Sequence, residues 1–177
     1  MQASPQARVV AAAVAPAEAP PTAQYLRFAL GREHFALPIE SVREILELAE
    51  LTPVPLMPAF LRGVMNLRGV VVPVIDLASR FDLGNTVATR RSCVVVVELP
   101  GSETGTRVLG MLVDSVSEVV DLAADRIEPT PALGTCIAPG FIRGMARLPG
   151  RLVMVLDLAR VLDAEDLDRL VSQHAAH

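Results

Sequence analysis

The sequence predicts a mainly β protein made of two related halves, each a small barrel or sandwich. Three observations carry that expectation. The first is an internal repeat. Phe60–Phe81 aligns with Phe141–Leu162 at an offset of 81, with identity at Phe60/Phe141, Arg62/Arg143, Gly63/Gly144, Leu67/Leu148, Gly69/Gly150, Val72/Val153, Val74/Val155, Asp76/Asp157, Leu77/Leu158 and Ala78/Ala159. Upstream, Ile39–Leu48 aligns with Val113–Leu122 at an offset of 74, and Pro55 then falls on Pro129. Seven extra residues therefore sit between Pro129 and Pro139 in the second copy. The second observation is a series of short β-branched segments separated by turn residues. The third is composition, with 51% hydrophobic residues but only 3% aromatic among 177. Such a chain has core material for two small units.

Taken in order, residues 1–23 read as an Ala/Pro-rich flexible tail, because Pro5, Pro16, Pro20 and Pro21 block regular structure. Val9–Ala15 follows Arg8 but is short and mostly Ala, so it is not read as a signal peptide. Tyr25–Leu30 and Glu33–Leu37 flank Gly31-Arg32, a hairpin signal. Pro38–Leu48 has helical spacing locally, whereas its second copy is Val-rich, so a helical turn followed by a strand is expected. Gly69–Ile75 and Gly150–Leu156 are strands that follow a glycine, and a glycine kept in both copies predicts positive φ or close approach. Asp76 and Asp157 precede short helix starts and are expected to cap them.

Cys93–Leu99 and Arg107–Val113, joined by a Gly-containing loop, form a second hairpin. Ala164–Gln173 reads as a last helix with acids at its start, so residues 164–177 are assigned to a C-terminal helix and tail. The halves run from about 25 to 84 and 91 to 163, within one domain over residues 24–163. The abundance of Val, Leu and Ile then suits two small β cores plus apolar docking surface.

Composition also excludes function classes. A formal charge of −4, one Tyr and no Trp argue against nucleic-acid binding. No apolar run approaches the roughly 20 residues of a spanning helix. Two cysteines form no disulfide framework or metal spacing, so a cytoplasmic location is expected. No cofactor or metal is expected, since the chain has no P-loop, dinucleotide fingerprint or nucleophile elbow. His34 lies in a predicted strand, and His174 and His177 lie near the end. Cys93 reads as a small buried hydrophobe, and Cys136 has no basic neighbour to activate it. The chain is therefore expected not to be an enzyme. A metabolite-binding barrel or an unrecognised hydrolase has less support than a protein-binding module.

The repeat separates the remaining charges. Arg62/Arg143 and Asp76/Asp157 recur in both copies, as a role in each barrel's fold requires, and Glu44/Glu118 recurs as well. Arg68 differs, because its counterpart is Pro149. An arginine at a turn into a central strand can fork onto a carboxylate or backbone carbonyls.

The segment Gly63-Val-Met-Asn-Leu-Arg-Gly-Val-Val-Val-Pro73-Val-Ile-Asp76-Leu77 resembles the signature G-x-x-x-L-R-G-x-x-x-P-V-x-D-L of the CheW family of bacterial chemotaxis coupling proteins. Val42-Arg-Glu-Ile45 and Val113-Asp-Ser-Val116 follow in the expected order, and the likeness spans about 24–162. The resemblance implies two SH3-like five-stranded β-barrels around a shared apolar core, without catalytic activity. It implies an adaptor between the regulatory domain of a CheA-type histidine kinase and the cytoplasmic hairpin tip of chemoreceptors, sitting beside other CheW-like domains in array rings. Matching positions would give a receptor-facing set of Val42, Glu44, Arg68, Cys93 and Val119, with Gly63, Gly69, Pro73, Asp76, Gly144, Gly150 and Asp157 as structural positions. Kinase-contacting residues cannot be placed singly. The same family likeness allows a pathway other than flagellar chemotaxis, such as surface motility or biofilm signalling.

Overall fold

Hairpins dominate the chain because its apolar segments are short, β-branched and punctuated by Gly and Pro. A computed structural model describes residues 21–100, 105–130 and 137–163. The strands are β1 (Thr22–Leu30), β2 (Glu33–Pro38), β3 (Val42–Glu47), β4 (Leu61–Leu67), β5 (Val70–Asp76), β6 (Cys93–Pro100), β7 (Thr106–Val113), β8 (Ser115–Ala123), β9 (Ile127–Glu128), β10 (Ile142–Leu148) and β11 (Arg151–Leu156). Two one-turn helices follow β5 and β11, namely α1 (Leu77–Arg80) and α2 (Leu158–Val161). A 3-10 turn at Ile39–Ser41 precedes β3, as the mixed periodicity of that segment predicts. The expected tail boundary moves, because Thr22 and Ala23 belong to β1, where they pair with Ala123 and Leu122. The predicted helix 164–173 and Cys136 lie outside the described residues.

The fold is mainly β, in two SH3-like subdomains. Their sheets have the orders β3-β6-β7-β5-β4 and β8-β1-β2-β11-β10-β9. The sixth strand of the second is only the two-residue β9. These sheets do not divide the chain between the repeated halves. The β1–β2 hairpin of the first half lies with β8–β11 of the second, through parallel pairing of β2 with β11. The β6–β7 hairpin of the second half lies with β3–β5 of the first, through parallel pairing of β7 with β5. Each barrel thus borrows a hairpin from the other half. The barrel carrying β3–β7 is called B here, and the other A.

Closure is the same in both barrels and explains two repeated glycines. In B, the chain beyond β3 returns to bridge Thr52 to Val64 on β4. In A, β9 returns to pair Glu128 and Ile127 with Met145 and Ala146 on β10. A Cβ on Gly63 would stand 2.5 Å from the Thr52 carbonyl oxygen, and one on Gly144 2.7 Å from that of Glu128. Only glycine lets the closing segment lie this near. Bulges repeat as well, at Arg62 and Arg143 and at Arg43 and Ser117.

Most of the core lies in neither barrel's interior. A 22-residue cluster between the sheets includes Phe28, Phe35, Val95, Val97, Met111 and Leu156. The barrel interiors hold smaller clusters, around Tyr25, Ala36 and Val153 in A and around Val74, Val94 and Val96 in B. Much of the aliphatic excess that the sequence suggested for two separate cores therefore sits in a shared one. At its margin, the Arg80 guanidinium lies over the rings of Phe60 and Phe141, 5.5 and 4.8 Å from their centroids. Arg80 Nε also donates to the Val161 carbonyl at 3.1 Å, joining repeat-related positions across the seam.

Candidate functional site: an ion-pair fork at the end of barrel B

The β4–β5 connection is a two-residue turn, since Leu67 pairs with Val70. Both turn residues have positive φ, 52° at Arg68 and 86° at Gly69, as a type I′ hairpin requires. The Asn66 side-chain carbonyl accepts from the Gly69 N–H at 2.8 Å and holds the turn. Gly150 also has positive φ, 74°, but follows Pro149, whose φ is held negative. The two copies therefore use different turns, and only the first carries a long side chain at its tip.

That side chain reaches β3. Arg68 donates Nη1 to Glu44 Oε2 at 2.8 Å and Nη2 to Glu44 Oε1 at 2.9 Å, a bidentate fork. The hydrogen bond from Arg68, ahead of its charge, holds the Glu44 carboxyl below the usual carboxylate range, and Glu44 raises Arg68 in turn. The arginine side chain is 70% exposed and the glutamate 21%, so the pair presents its cationic side outward. The bulge between Val42 and Glu44 sets where Glu44 stands on the strand.

The structure brings these two predicted residues together and distributes the other three. Val42 is half-buried at the margin of the shared core. Cys93 begins β6 opposite Glu47 of β3, half-buried, with its thiol donating to the Arg91 carbonyl at 3.2 Å. Burial pushes that thiol up, consistent with a packing residue rather than an activated one. Val119 lies on β8 of barrel A, opposite Leu26, and is 47% exposed. Its repeat partner Ile45 is exposed beside Glu44; helical spacing with Ile39, Val42 and Leu46 assigns it to a buried stripe, whereas the strand turns it outward with Arg43 and Glu47.

The expected structural positions divide more sharply. Asp76 is wholly buried, caps α1 through Ser79 N–H, and pairs with Arg62 Nη1 at 2.8 Å. Asp157 also caps α2, through Arg160 N–H, but is partly exposed and meets Arg160 Nε at 3.6 Å rather than Arg143. Pro73 is opposite Val64 within the β4–β5 hairpin. His34 is half-buried on β2, its Nδ1 unpartnered, and its pKa is lowered by burial and then by Arg151 and Arg27. Among the described residues no group of three or more His, Cys, Asp or Glu could hold a metal ion. No helix among them is long and apolar enough to cross a membrane.

Residues 24–166 match the CheW-like domain family, which covers most of the chain. The chain belongs to the CheW-like family. Among curated relatives, the chemotaxis protein CheW of Klebsiella aerogenes is 32% identical over 154 residues, 85% of this chain and 90% of that protein. The CheW of Rhizobium meliloti is 32% identical, over 81% of this chain and 89% of its own length. Protein FrzA of Myxococcus xanthus is 30% identical over 82% and 89%. A solved structure, the scaffolding protein TtCheW of Thermoanaerobacter tengcongensis, is similar with a TM-score of 0.70 and 32% identity, covering 80% of this chain and 88% of that one. Membership of the CheW-like family sets the chain among chemotaxis adaptor and scaffold proteins, and the fork lies within the residues matched to that family.

Proposed function

We propose that the chain is a non-catalytic adaptor that couples chemoreceptors to a CheA-type histidine kinase within membrane-associated receptor arrays, working from the cytoplasm. The observation that carries this reading is the Glu44–Arg68 fork, within a chain whose family consists of chemotaxis scaffolds. A pre-paired guanidinium and carboxylate, exposed on the arginine side, costs little side-chain ordering when a partner docks. The exposed Ile45 beside it supplies apolar contact area. The receptor hairpin tip engages Val42, Glu44 and Arg68, with Cys93 and Val119 at the groove between barrels. The kinase regulatory domain and other CheW-like domains bind barrel surfaces away from the fork.

The test mixes the chain with kinase and receptor fragments and follows autophosphorylation. Complexes with both fragments and receptor control of the kinase are expected. Absence of both would end the proposal. A second reading, which the family likeness allows, is the same adaptor role in a non-flagellar chemosensory pathway; the curated relatives include FrzA beside the proteins named CheW. A pull-down against the several CheA-type kinases of one cell separates the two by which kinase is retained.

A further inference from the structure

The repeat places one polar cradle in both halves, yet the described structure fills it in only one. In the first half, the linker between halves lies across Arg62 and Asp76. Thr86 N–H donates to Asp76 Oδ2 at 2.9 Å, and its hydroxyl lies 2.8 Å from Asp76 Oδ1. Its carbonyl accepts from Arg62 Nη1 at 2.9 Å. One extended residue thus satisfies the buried carboxylate and the arginine together, and Thr86 is buried as a result.

In the second half, Arg143 occupies the bulge position of Arg62, and Asp157 the position of Asp76. Arg143 is exposed, and its guanidinium pairs with no carboxylate among the described residues. Asp157 retains open carboxylate surface beyond its cap. Both line a cavity of about 250 Å³ whose wall includes Ser41, Glu98, Leu99 and Leu156. None of Val42, Glu44, Arg68, Cys93 or Val119 borders it.

We propose that this cavity docks an extended segment of another protein, presenting an unphosphorylated Ser or Thr. Its backbone N–H and hydroxyl donate to Asp157, and its carbonyl accepts from Arg143, as Thr86 does at Asp76 and Arg62. Apolar flanking side chains rest on Leu99 and Leu156. Asp157 and Glu98 disfavour an acidic or phosphorylated segment, so the partner sequence is neutral or basic.

The probe is a synthetic peptide with the sequence of residues 83–91, titrated into the isotopically labelled full chain. Amide shifts are expected at Ser41, Leu156 and Ala159. Binding should weaken about tenfold with Arg143→Gln, or when the peptide carries Val in place of Thr86, since each removes a hydrogen bond in a desolvated site. Arg143→Gln is exposed and should leave the melting temperature within a few degrees. Shifts confined to Thr86 and its surroundings would overturn the proposal, as would affinity unchanged in Arg143→Gln. Tighter binding of the phosphothreonine peptide would do so too, revealing an anion site. Binding that emerges only after removal of residues 164–177 would assign the cavity to the chain's own terminus.

Discussion

Barrels A and B share a skeleton and differ in how they satisfy one repeated glutamate. In A, Glu118 lies directly opposite Arg27 in the β1–β8 register and pairs with it at 3.2 Å, within the barrel wall, where Arg27 is 16% exposed. In B, the residue opposite Glu44 is Val96, wholly buried, so no cation is available from the wall. The cation comes instead from Arg68, on a turn whose left-handed backbone replaces the Pro-Gly of the other copy. Each pair has one exposed partner, but of opposite sign: the wall pair turns its acid outward, with Glu118 60% exposed, and the turn pair its arginine. Glycine closure, strand bulges and aspartate caps recur because each barrel needs them. The position of a charge relative to the surface is where the copies are free to diverge, and that is where binding is expected.

The largest contrast should be between the two capping aspartates. Asp76→Ala strands Arg62 and two Thr86 donors in a buried site and should cost about 3–5 kcal/mol. Asp157→Ala removes a half-exposed cap and should cost about 0.5–2 kcal/mol. Denaturant unfolding of both variants measures the difference, and equal costs would show that Asp157 has partners as binding as those of Asp76. Next come the closure glycines. Gly63→Ala and Gly144→Ala should each destabilise by about 1–3 kcal/mol, as inserted atoms force the closing segment away. Gly63→Ala should cost more, because φ at that position is +152°. A neutral effect at either site would mean that its barrel closes differently.

Much of this follows from local sequence, and the rest depends on distance along the chain. Hairpins, caps and the glycines before β5 and β11 are local, so residue type and spacing announce them. The repeat itself needed only alignment. The exchange of hairpins between halves has no comparable signal, since β2–β11 and β5–β7 are parallel contacts made by strands that would read identically in either sheet. Arg27–Glu118 spans 91 positions, and Arg27 sits in an alternating strand where a charge looks like the solvent face. Thr86 lies in a linker with no periodicity, so its closure of the Asp76 network was invisible. The Arg68–Glu44 fork was half visible. Both residues stood out, Arg68 by its difference from Pro149 and Glu44 by matched position, but the bond between them needed coordinates.

The smallest expected effect concerns pH and barrel A. Burial first, and then Arg151 and Arg27, hold the folded-state pKa of His34 below its ordinary value, against an opposing pull from Glu33. Unfolding therefore takes up a proton as pH falls through the ordinary histidine range, and the stability contributed by neutral His34 is present above that range and lost below it. Stability of the chain should decline slightly between about pH 7 and 5, and His34→Gln should flatten that slope. An unchanged slope in the variant would place the titration elsewhere. Glu44, by contrast, is held below the ordinary carboxylate value by its hydrogen bond from Arg68, so the fork is expected to outlast the loss at His34.

The comparison turns on whether the turn pair binds and the wall pair does not. The direct measurement is receptor-fragment affinity of Arg68→Ala beside Arg27→Ala, with kinase-fragment affinity and melting temperature followed in both. Arg68→Ala should lose receptor binding about tenfold or more while keeping kinase binding and melting within a few degrees of the unaltered chain. Arg27→Ala should keep receptor binding and lose some stability. Equal loss of receptor binding in both variants, or unfolding of Arg68→Ala, would contradict the account.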